Sequence, residues 1–194
     1  MIKSSKDYAY YLSQDRIALG LPAQCSFLFS LKQFVWPDPT YQFEKQLRKV
    51  EWLTYRKENS KSFLLKFRWL FAKYRFKRIS IRLGFSIPVN VFGPGLSIPH
   101  YGTIVVNPNV RVGANCRLHV GVNIGASGGV DQVPTIGDNV YIGPGAILFG
   151  NITIGDNVMI GANSTVTKSF TNNVVVAGSP AKIIKTNEDN SYCK

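Results

Sequence analysis

Two histidines, His100 and His119, are the side chains of this 194-residue chain best suited to proton transfer, and the sequence contains no others. An imidazole has an unperturbed pKa of about 6.5, so near neutral pH it can take a proton from a hydroxyl group. The two residues are 19 positions apart. They can share one site only if the fold repeats with a matching period.

The second half of the chain repeats with a period of six. Every sixth residue from Val106 to Val166 is Val, Ile or Leu, and eight of the eleven residues three places further on are Asn or Gly, which tolerate positive φ. This period matches neither an α-helix nor a flat strand, and it predicts a solenoid whose sides each place one aliphatic inward before a sharp corner. The column consists of Val106, Val112, Leu118, Ile124, Val130, Ile136, Ile142, Leu148, Ile154, Ile160 and Val166.

The first half of the chain has the patterns of helices. Asp38 followed by Pro39 is typical of an N-cap and a first helical position, and predicts a helix through Leu53. Apolar residues on one stripe predict a second helix from about 61 to 82, and a further helix is predicted near residues 6–18.

The residue pattern changes from helical to extended near Gly84 and Pro88, and this change divides the chain. One irregular stretch, 125–135, is predicted to be a loop leaving the coil. We therefore expect a helical, basic N-terminal region at 1–83, a solenoid domain at 84–185 and a C-terminal tail at 186–194.

The composition limits the possible classes of protein. The net charge is +12, and residues 1–90 alone contribute +11, from 17 Lys and Arg against 6 Asp and Glu. No nucleic-acid-binding motif accompanies this charge, so nucleic acid is not expected as a partner. The three cysteines lack metal-binding spacing, and Cys116 belongs to the inward side of the repeat, so no metal is expected. Without a signal peptide or an apolar span, a reducing cytoplasm fits best.

Four stretches of residues 84–185 together resemble the serine acetyltransferase branch of the hexapeptide-repeat acyltransferases. The resemblance implies a mainly β fold, a left-handed parallel β-helix with three hexads per coil behind an N-terminal helical region. It also implies homotrimers that bind acetyl-CoA in the groove between neighbouring subunits. The stretches are GPGLSIPHYGTIVV at 93–106, CRLHVGVNIGASGG at 116–129, the run at 136–168 and VVAGSPAKIIK at 175–185.

The resemblance assigns His100 as the base that activates the acceptor hydroxyl for attack on the thioester. The separation of the two histidines exceeds three hexads by a single position, so His119 should lie on the adjacent coil near the same corner. There it would either contact the substrate or only pack against its neighbours. A capping role in the turn before Gly102 is the structural alternative for His100. Tyr101 and Ser86 are expected on the acceptor side of the site.

The resemblance also indicates how the coenzyme would be held. Backbone N–H groups at Gly125 and Ala126 would meet the thioester end, further small residues would flank the pantetheine arm, and lysines would meet the phosphates. Corner-forming glycines and solvated lysines are the alternative explanation. The residues implied are Gly125, Ala126, Gly143, Gly161, Ala162, Lys168, Lys182 and Lys185.

Three differences from the serine acetyltransferases bear on the acceptor. Pro99 stands where those enzymes have an aspartate before the catalytic histidine, Ser86 lies in the segment where they have another, and Gln132-Val133 replaces an Arg-His pair. These differences favour a sugar hydroxyl in surface-polysaccharide synthesis as the acceptor. Free serine, as in cysteine biosynthesis, is the alternative, and a non-catalytic assembly solenoid is the alternative from another class.

The segment 62–78 interleaves aromatic and basic residues at helical spacing. Such a helix can lie on a membrane surface, which would place the enzyme at the inner face of the membrane. The alternative is an amphipathic helix packed on the β-helix or on another subunit, with its cations in water.

Overall fold

A computed structural model describes residues 1–24, 26–129 and 131–187. Within these ranges, four helices are followed by thirteen short strands. None of the helices in the described ranges is long and apolar enough to cross a membrane. The helices are α1 Ser5–Ala18, α2 Phe27–Val35, α3 Pro39–Glu58 and α4 Phe63–Leu83. The strands are β1 Phe85–Ser86, β2 Ile104–Val106, β3 Arg111–Val112, β4 Arg117–Leu118, β5 Asn123–Gly125, β6 Thr135–Ile136, β7 Tyr141–Ile142, β8 Ile147–Phe149, β9 Thr153–Ile154, β10 Met159–Ile160, β11 Thr165–Val166, β12 Val174–Gly178 and β13 Ala181–Thr186.

The predicted helices are confirmed as α1, α3 and α4, and their ends follow from local chemistry. Asp38 caps α3 by accepting the N–H groups of Thr40 and Tyr41, with Pro39 at the first turn. Helix α4 ends at Gly84, whose φ of 78° suits glycine. Helix α2 was not predicted, because a run of nine residues is too short for its length to separate helix from strand.

The strands form three parallel sheets, apart from the antiparallel β12–β13 pair that ends one of them. The orders are β1-β2-β5-β8-β11, β3-β6-β9 and β13-β12-β10-β7-β4. From β3 to β12, each strand belongs to a different sheet from the strand before it, so the backbone winds as a β-helix. Helix changes to strand at Gly84, near the predicted boundary, while the division into domains stays a prediction. Residues 188–194 of the predicted tail lie outside the described residues.

The predicted aliphatic column forms the core. Its ten described members are at most 6% exposed, while Val130 lies outside the described residues. At the corners, Asn115, Asn139 and Asn157 have φ of 56–57°, and their side-chain amides form a ladder in which Asn115 donates to Asn139 and Asn139 to Asn157. Cys116 is buried at 1% exposure, as predicted for a core position.

One coil is longer than the others. Leu118 pairs with Ile142, four hexads later, whereas Ile142 pairs with Ile160, three hexads later. The additional hexad is accommodated in the predicted loop, which runs from 126 to 134 because Gly125 and Thr135 belong to strands. This offset decides which residues of the next coil face His119.

Candidate active site

The imidazoles of His100 and His119 lie beside each other at one corner of the β-helix. Their ring centroids are 6.2 Å apart, with the planes inclined at 47°. His119 directly follows β4, and His100 lies on the preceding coil, shortly before β2. The coil spacing therefore predicts their proximity correctly, while their chemical roles stay predictions.

The surroundings of His119 favour its neutral form. Burial lowers the pKa of His119 below its ordinary value of 6.5, and the charge of Arg117 and the neighbouring His100 lower it further. Its Nε2 atom is buried without a hydrogen-bond partner among the described residues. The ring of Tyr141 lies 5.0 Å from the His119 ring. At neutral pH this imidazole is therefore uncharged and has an unused polar atom.

The corner that carries His100 is fixed at its C-terminal side by α4 and by the next coil. Gly102 donates its N–H to the carbonyl of Leu83 at the end of α4, 3.0 Å away. A Cβ on Gly102 would clash with a methyl carbon of Val120, and φ at Gly102 is +143°. Only glycine fits this position, so the chain passes tightly between the helix end and the coil below.

The N-terminal side of the same corner is held by carboxylates of the helical region. Asp15 of α1 accepts the N–H groups of Gly95 and Leu96, at 2.8 and 2.9 Å. Glu44 of α3 accepts the N–H of Ile98 at 3.0 Å, two residues before His100. Helices α1 and α3 thus supply the hydrogen bonds that a preceding coil would otherwise make.

A buried arginine ties these carboxylates to the same segment. Arg48 contacts Asp15 at 2.7 Å and Glu51 at 3.1 Å, and donates to the carbonyls of Phe92 and Gly93. Its side chain is fully buried, and both carboxylates raise the pKa of Arg48 against the opposing effect of burial. The arginine therefore stays charged and neutralises part of a carboxylate cluster.

Glu44 belongs to that cluster but forms no ion pair with any described residue. Burial raises the pKa of the Glu44 carboxyl well above its ordinary range, and Asp15 raises it further. Its Oε2 atom has no hydrogen-bond partner among the described residues. Sequence reasoning missed Asp15, Glu44 and Arg48, because charged residues in a helix are more often solvated than buried.

The glycines predicted to meet the coenzyme differ in what the fold requires of them. A Cβ on Gly143 would lie 2.8 Å from backbone atoms of Ile160 and Ala162, and one on Gly161 would lie 2.9 Å from the Cβ of Ala177. Coil stacking alone accounts for both. A Cβ on Gly125 would meet nothing closer than 3.5 Å, so packing within the chain does not require glycine there.

The other predicted site residues lie on the outside of the chain. Tyr101 is 67% exposed beside His100, and Ser86 is exposed on β1, in register with Val105. Their convergence on one ligand stays a prediction. The remaining predicted coenzyme residues, Ala126, Ala162, Lys168, Lys182 and Lys185, are all exposed.

Tyr141 and Arg117 are neighbours of His119 that sequence reasoning did not select. Arg117 pairs with Tyr141 across β4 and β7. The loop hid this neighbour from the sequence pattern. A coil of three hexads would pair Arg117 with Thr135, whereas the lengthened coil pairs it with Tyr141. In the described ranges no three His, Cys, Asp or Glu residues form a group that could hold a metal ion.

Comparisons with known proteins agree with this geometry. Residues 134–168 match the family model for the bacterial transferase hexapeptide, six repeats. The chain is 42% identical over 95 residues to serine acetyltransferase of Staphylococcus xylosus, covering 48% of this chain and 44% of that protein. It thus spans less than half the length of the curated relatives it matches.

Solved structures extend the likeness to almost the whole chain. Serine acetyltransferase of Brucella abortus in complex with coenzyme A is 31% identical with a TM-score of 0.71, covering 94% of this chain and 69% of that one. The Neisseria gonorrhoeae serine acetyltransferase in complex with serine is 26% identical with a TM-score of 0.68, covering 94% and 71%. The expected left-handed β-helix with an N-terminal helical region is therefore confirmed.

Proposed function

The chain belongs to the hexapeptide-repeat acyltransferases, in the branch of the serine acetyltransferases, and we propose that it transfers acetyl from acetyl-CoA to a hydroxyl group. The observation that carries the proposal is the pair of imidazoles, 6.2 Å apart, at one corner of the β-helix. No permanently bound cofactor is needed for this chemistry, because the thioester of the donor is already activated.

In this mechanism His100 is the general base. Its imidazole takes the proton of the acceptor hydroxyl, the oxygen attacks the thioester carbonyl, and the tetrahedral intermediate expels the coenzyme thiolate. The proton on His100 then passes to the departing sulfur, so the base is regenerated. Backbone N–H groups at Gly125 and Ala126 would stabilise the oxyanion.

His119 completes the acceptor side of the site. Its lowered pKa keeps the ring neutral, so that it can hydrogen-bond the acceptor without competing for the proton. Its buried Nε2 atom has no hydrogen-bond partner among the described residues, so a rotation of the ring that turns this atom toward the acceptor would break no hydrogen bond. Tyr101, next to His100, and Ser86 would contact the rest of the acceptor.

The coenzyme would lie against the outside of the coils, in the groove that a second subunit completes in a homotrimer. Gly125 supports this placement, because its open surroundings leave room for a ligand close to the backbone. Gly143, Gly161 and the exposed Ala162 would border the pantetheine arm. The three cations Lys168, Lys182 and Lys185 would meet the phosphates.

Free serine is the acceptor that the comparisons favour. The relatives are serine acetyltransferases, and the Neisseria gonorrhoeae structure contains serine itself. This favours the alternative named from the sequence over the polysaccharide acceptor, which the comparisons do not support.

A sugar hydroxyl is kept as the second candidate on one specific observation. Pro99 and Ser86 offer no carboxylate for the ammonium group of serine, and the charged residue that acts on His119 is the cation Arg117. A cytoplasmic enzyme at the inner face of the membrane, touching it through residues 62–78, would suit a lipid-linked acceptor of this kind.

A thiol-release assay tests the proposal. Acetyl-CoA should be consumed with serine, or with one member of a panel of nucleotide sugars and oligosaccharides. His100→Gln should reduce kcat about a thousandfold, as expected for loss of a general base, while leaving coenzyme binding, measured by calorimetry, unchanged. Full activity in His100→Gln would refute the base, and wild-type protein that binds no coenzyme would instead indicate a non-catalytic solenoid.

A further inference from the structure

A groove of about 610 Å³ lies on the helical region, between α2, the start of α3 and α4. It belongs to a different surface from the histidine pair, and the described residues that line it include no carboxylate. Aromatic and cationic side chains alternate along it. These side chains are Phe34, Phe71, Tyr74, Arg75, Arg78 and Arg82.

The rim of this groove is unusually apolar for a surface. Helix α2 buries none of its residues, and Phe34 and Trp36 at its end are 85% and 81% exposed. On α4, Phe71 and Tyr74 are more than half exposed. Large apolar side chains exposed on two helices that line the same groove are typical of an interaction site.

The patch is also strongly cationic. Helix α4 contains seven Lys and Arg residues and no Asp or Glu, and none of the seven forms an ion pair in the described part of the chain. The positive charge of α4 also acts on α3. Burial lowers the pKa of Lys49, and the nearby charges of Arg75 and Arg68 lower it further. An occupant must therefore carry negative charge as well as apolar surface.

The same patch on a second copy of this chain does not meet that requirement. Three of the nine acidic residues in the described ranges, Asp15, Glu44 and Glu51, are buried in the Arg48 cluster. Packing the same patch against itself would place Arg75, Arg78 and Arg82 opposite the same three cations. A bilayer containing anionic lipid supplies phosphates and acyl chains together.

We propose that the surface formed by α2 and α4 docks on an anionic lipid bilayer. Arg75, Arg78 and Arg82 bind lipid phosphates, for which the planar guanidinium is well suited. Phe34, Trp36 and Phe71 enter the boundary between headgroups and acyl chains. The contact involves one leaflet, and it is independent of the acetyl transfer proposed above.

Vesicle co-sedimentation tests the charged half of the surface. Wild-type chain should partition onto vesicles that contain phosphatidylcholine and phosphatidylglycerol at two to one, and only weakly onto phosphatidylcholine alone. The triple variant Arg75→Gln, Arg78→Gln, Arg82→Gln should lose about tenfold or more in partition coefficient. The matched control, Lys168→Gln, Lys182→Gln, Lys185→Gln, changes the charge equally on the last coils and should bind as wild type.

The apolar half is tested by fluorescence. Brominated lipid should quench tryptophan emission in the wild type, and Trp36→Phe should remove most of that quenching while the far-ultraviolet circular dichroism is unchanged. Equal binding of both triple variants would overturn the proposal. So would self-association without lipid that the arginine variant abolishes, because the patch would then be a protein interface. Neither assay uses acetyl-CoA, so either proposal can fail alone.

Discussion

At the scale of the residue, the glycines of the candidate site differ in whether coil stacking requires them. Gly143 has backbone atoms of the next coil 2.8 Å from where its Cβ would be, whereas Gly125 has only a side-chain oxygen at 3.5 Å. A residue that the fold leaves free to change, at the end of β5 beside the loop, is a better candidate for ligand contact than one fixed by coil stacking.

The matched pair Gly125→Ala and Gly143→Ala tests this distinction. Gly125→Ala should keep the melting temperature within about 2 °C of the wild type, as for a substitution outside the core. It should lower coenzyme affinity about tenfold or more, since the methyl would occupy the ligand's space. Gly143→Ala should lower the free energy of unfolding by about 1–3 kcal/mol through overpacking. Calorimetry and thermal denaturation provide the measurements, and unchanged coenzyme affinity in Gly125→Ala would remove that residue from the site.

At the scale of the element, the corners of the β-helix are held by stacked asparagines. Asn139 has φ of 56°, donates to Asn157 at 3.1 Å and accepts from Asn115 at 2.9 Å. Two separate properties therefore suit asparagine to this corner: tolerance of the left-handed region and an amide that bonds above and below.

Two substitutions at Asn139 separate these properties. Asn139→Gly keeps the backbone conformation and loses the ladder, which should lower the free energy of unfolding by about 1–2 kcal/mol. Asn139→Ala loses the ladder and also places a Cβ at positive φ, adding about 1–2 kcal/mol. Urea denaturation measures both. Equal stability of the two variants would show that backbone strain contributes nothing at this corner.

At the scale of the whole molecule, the helical region and the β-helix are joined by buried charge. Asp15, Glu44, Arg48 and Glu51 bind backbone groups of residues 90–98, the stretch that leads to His100. Such a cluster contributes less to stability than its bonds suggest, because burying charge costs about as much as pairing it returns. Its effect is to fix one arrangement of helices against the first coil.

The raised pKa of Glu44 makes the stability of this junction depend on pH. The native state keeps the Glu44 proton at pH values where the unfolded chain has released it, so the free energy of unfolding falls as pH rises from about 4.5 through the raised pKa. Glu44→Gln should remove this fall and still accept the N–H of Ile98. In urea denaturation from pH 5 to 8, the free energy of unfolding of the variant should therefore rise relative to that of the wild type as the pH rises. A pH dependence that is the same in both proteins would contradict a raised pKa at Glu44.

Much of the fold followed from local pattern. The cap at Asp38 acts on its own neighbours in sequence, and the aliphatic column recurs at a fixed period, so both were predicted correctly. Of the predicted corner asparagines, Asn115, Asn139, Asn157 and Asn163 have positive φ. The proximity of His100 and His119 followed too, because a regular period converts sequence separation into spatial position. Helix α2 was missed, since a run of nine residues is too short for its length to distinguish a helix from a strand.

The sequence by itself determined the solenoid, because a hexapeptide repeat can bury its aliphatics in few other ways. The tertiary structure alone decided which side chains surround the histidines. Tyr141 faces His119 only because a loop lengthens one coil by a hexad, and Glu44 holds Ile98 only because α3 packs on the first coil. Contacts of this kind join residues far apart in the chain, and no local pattern records them.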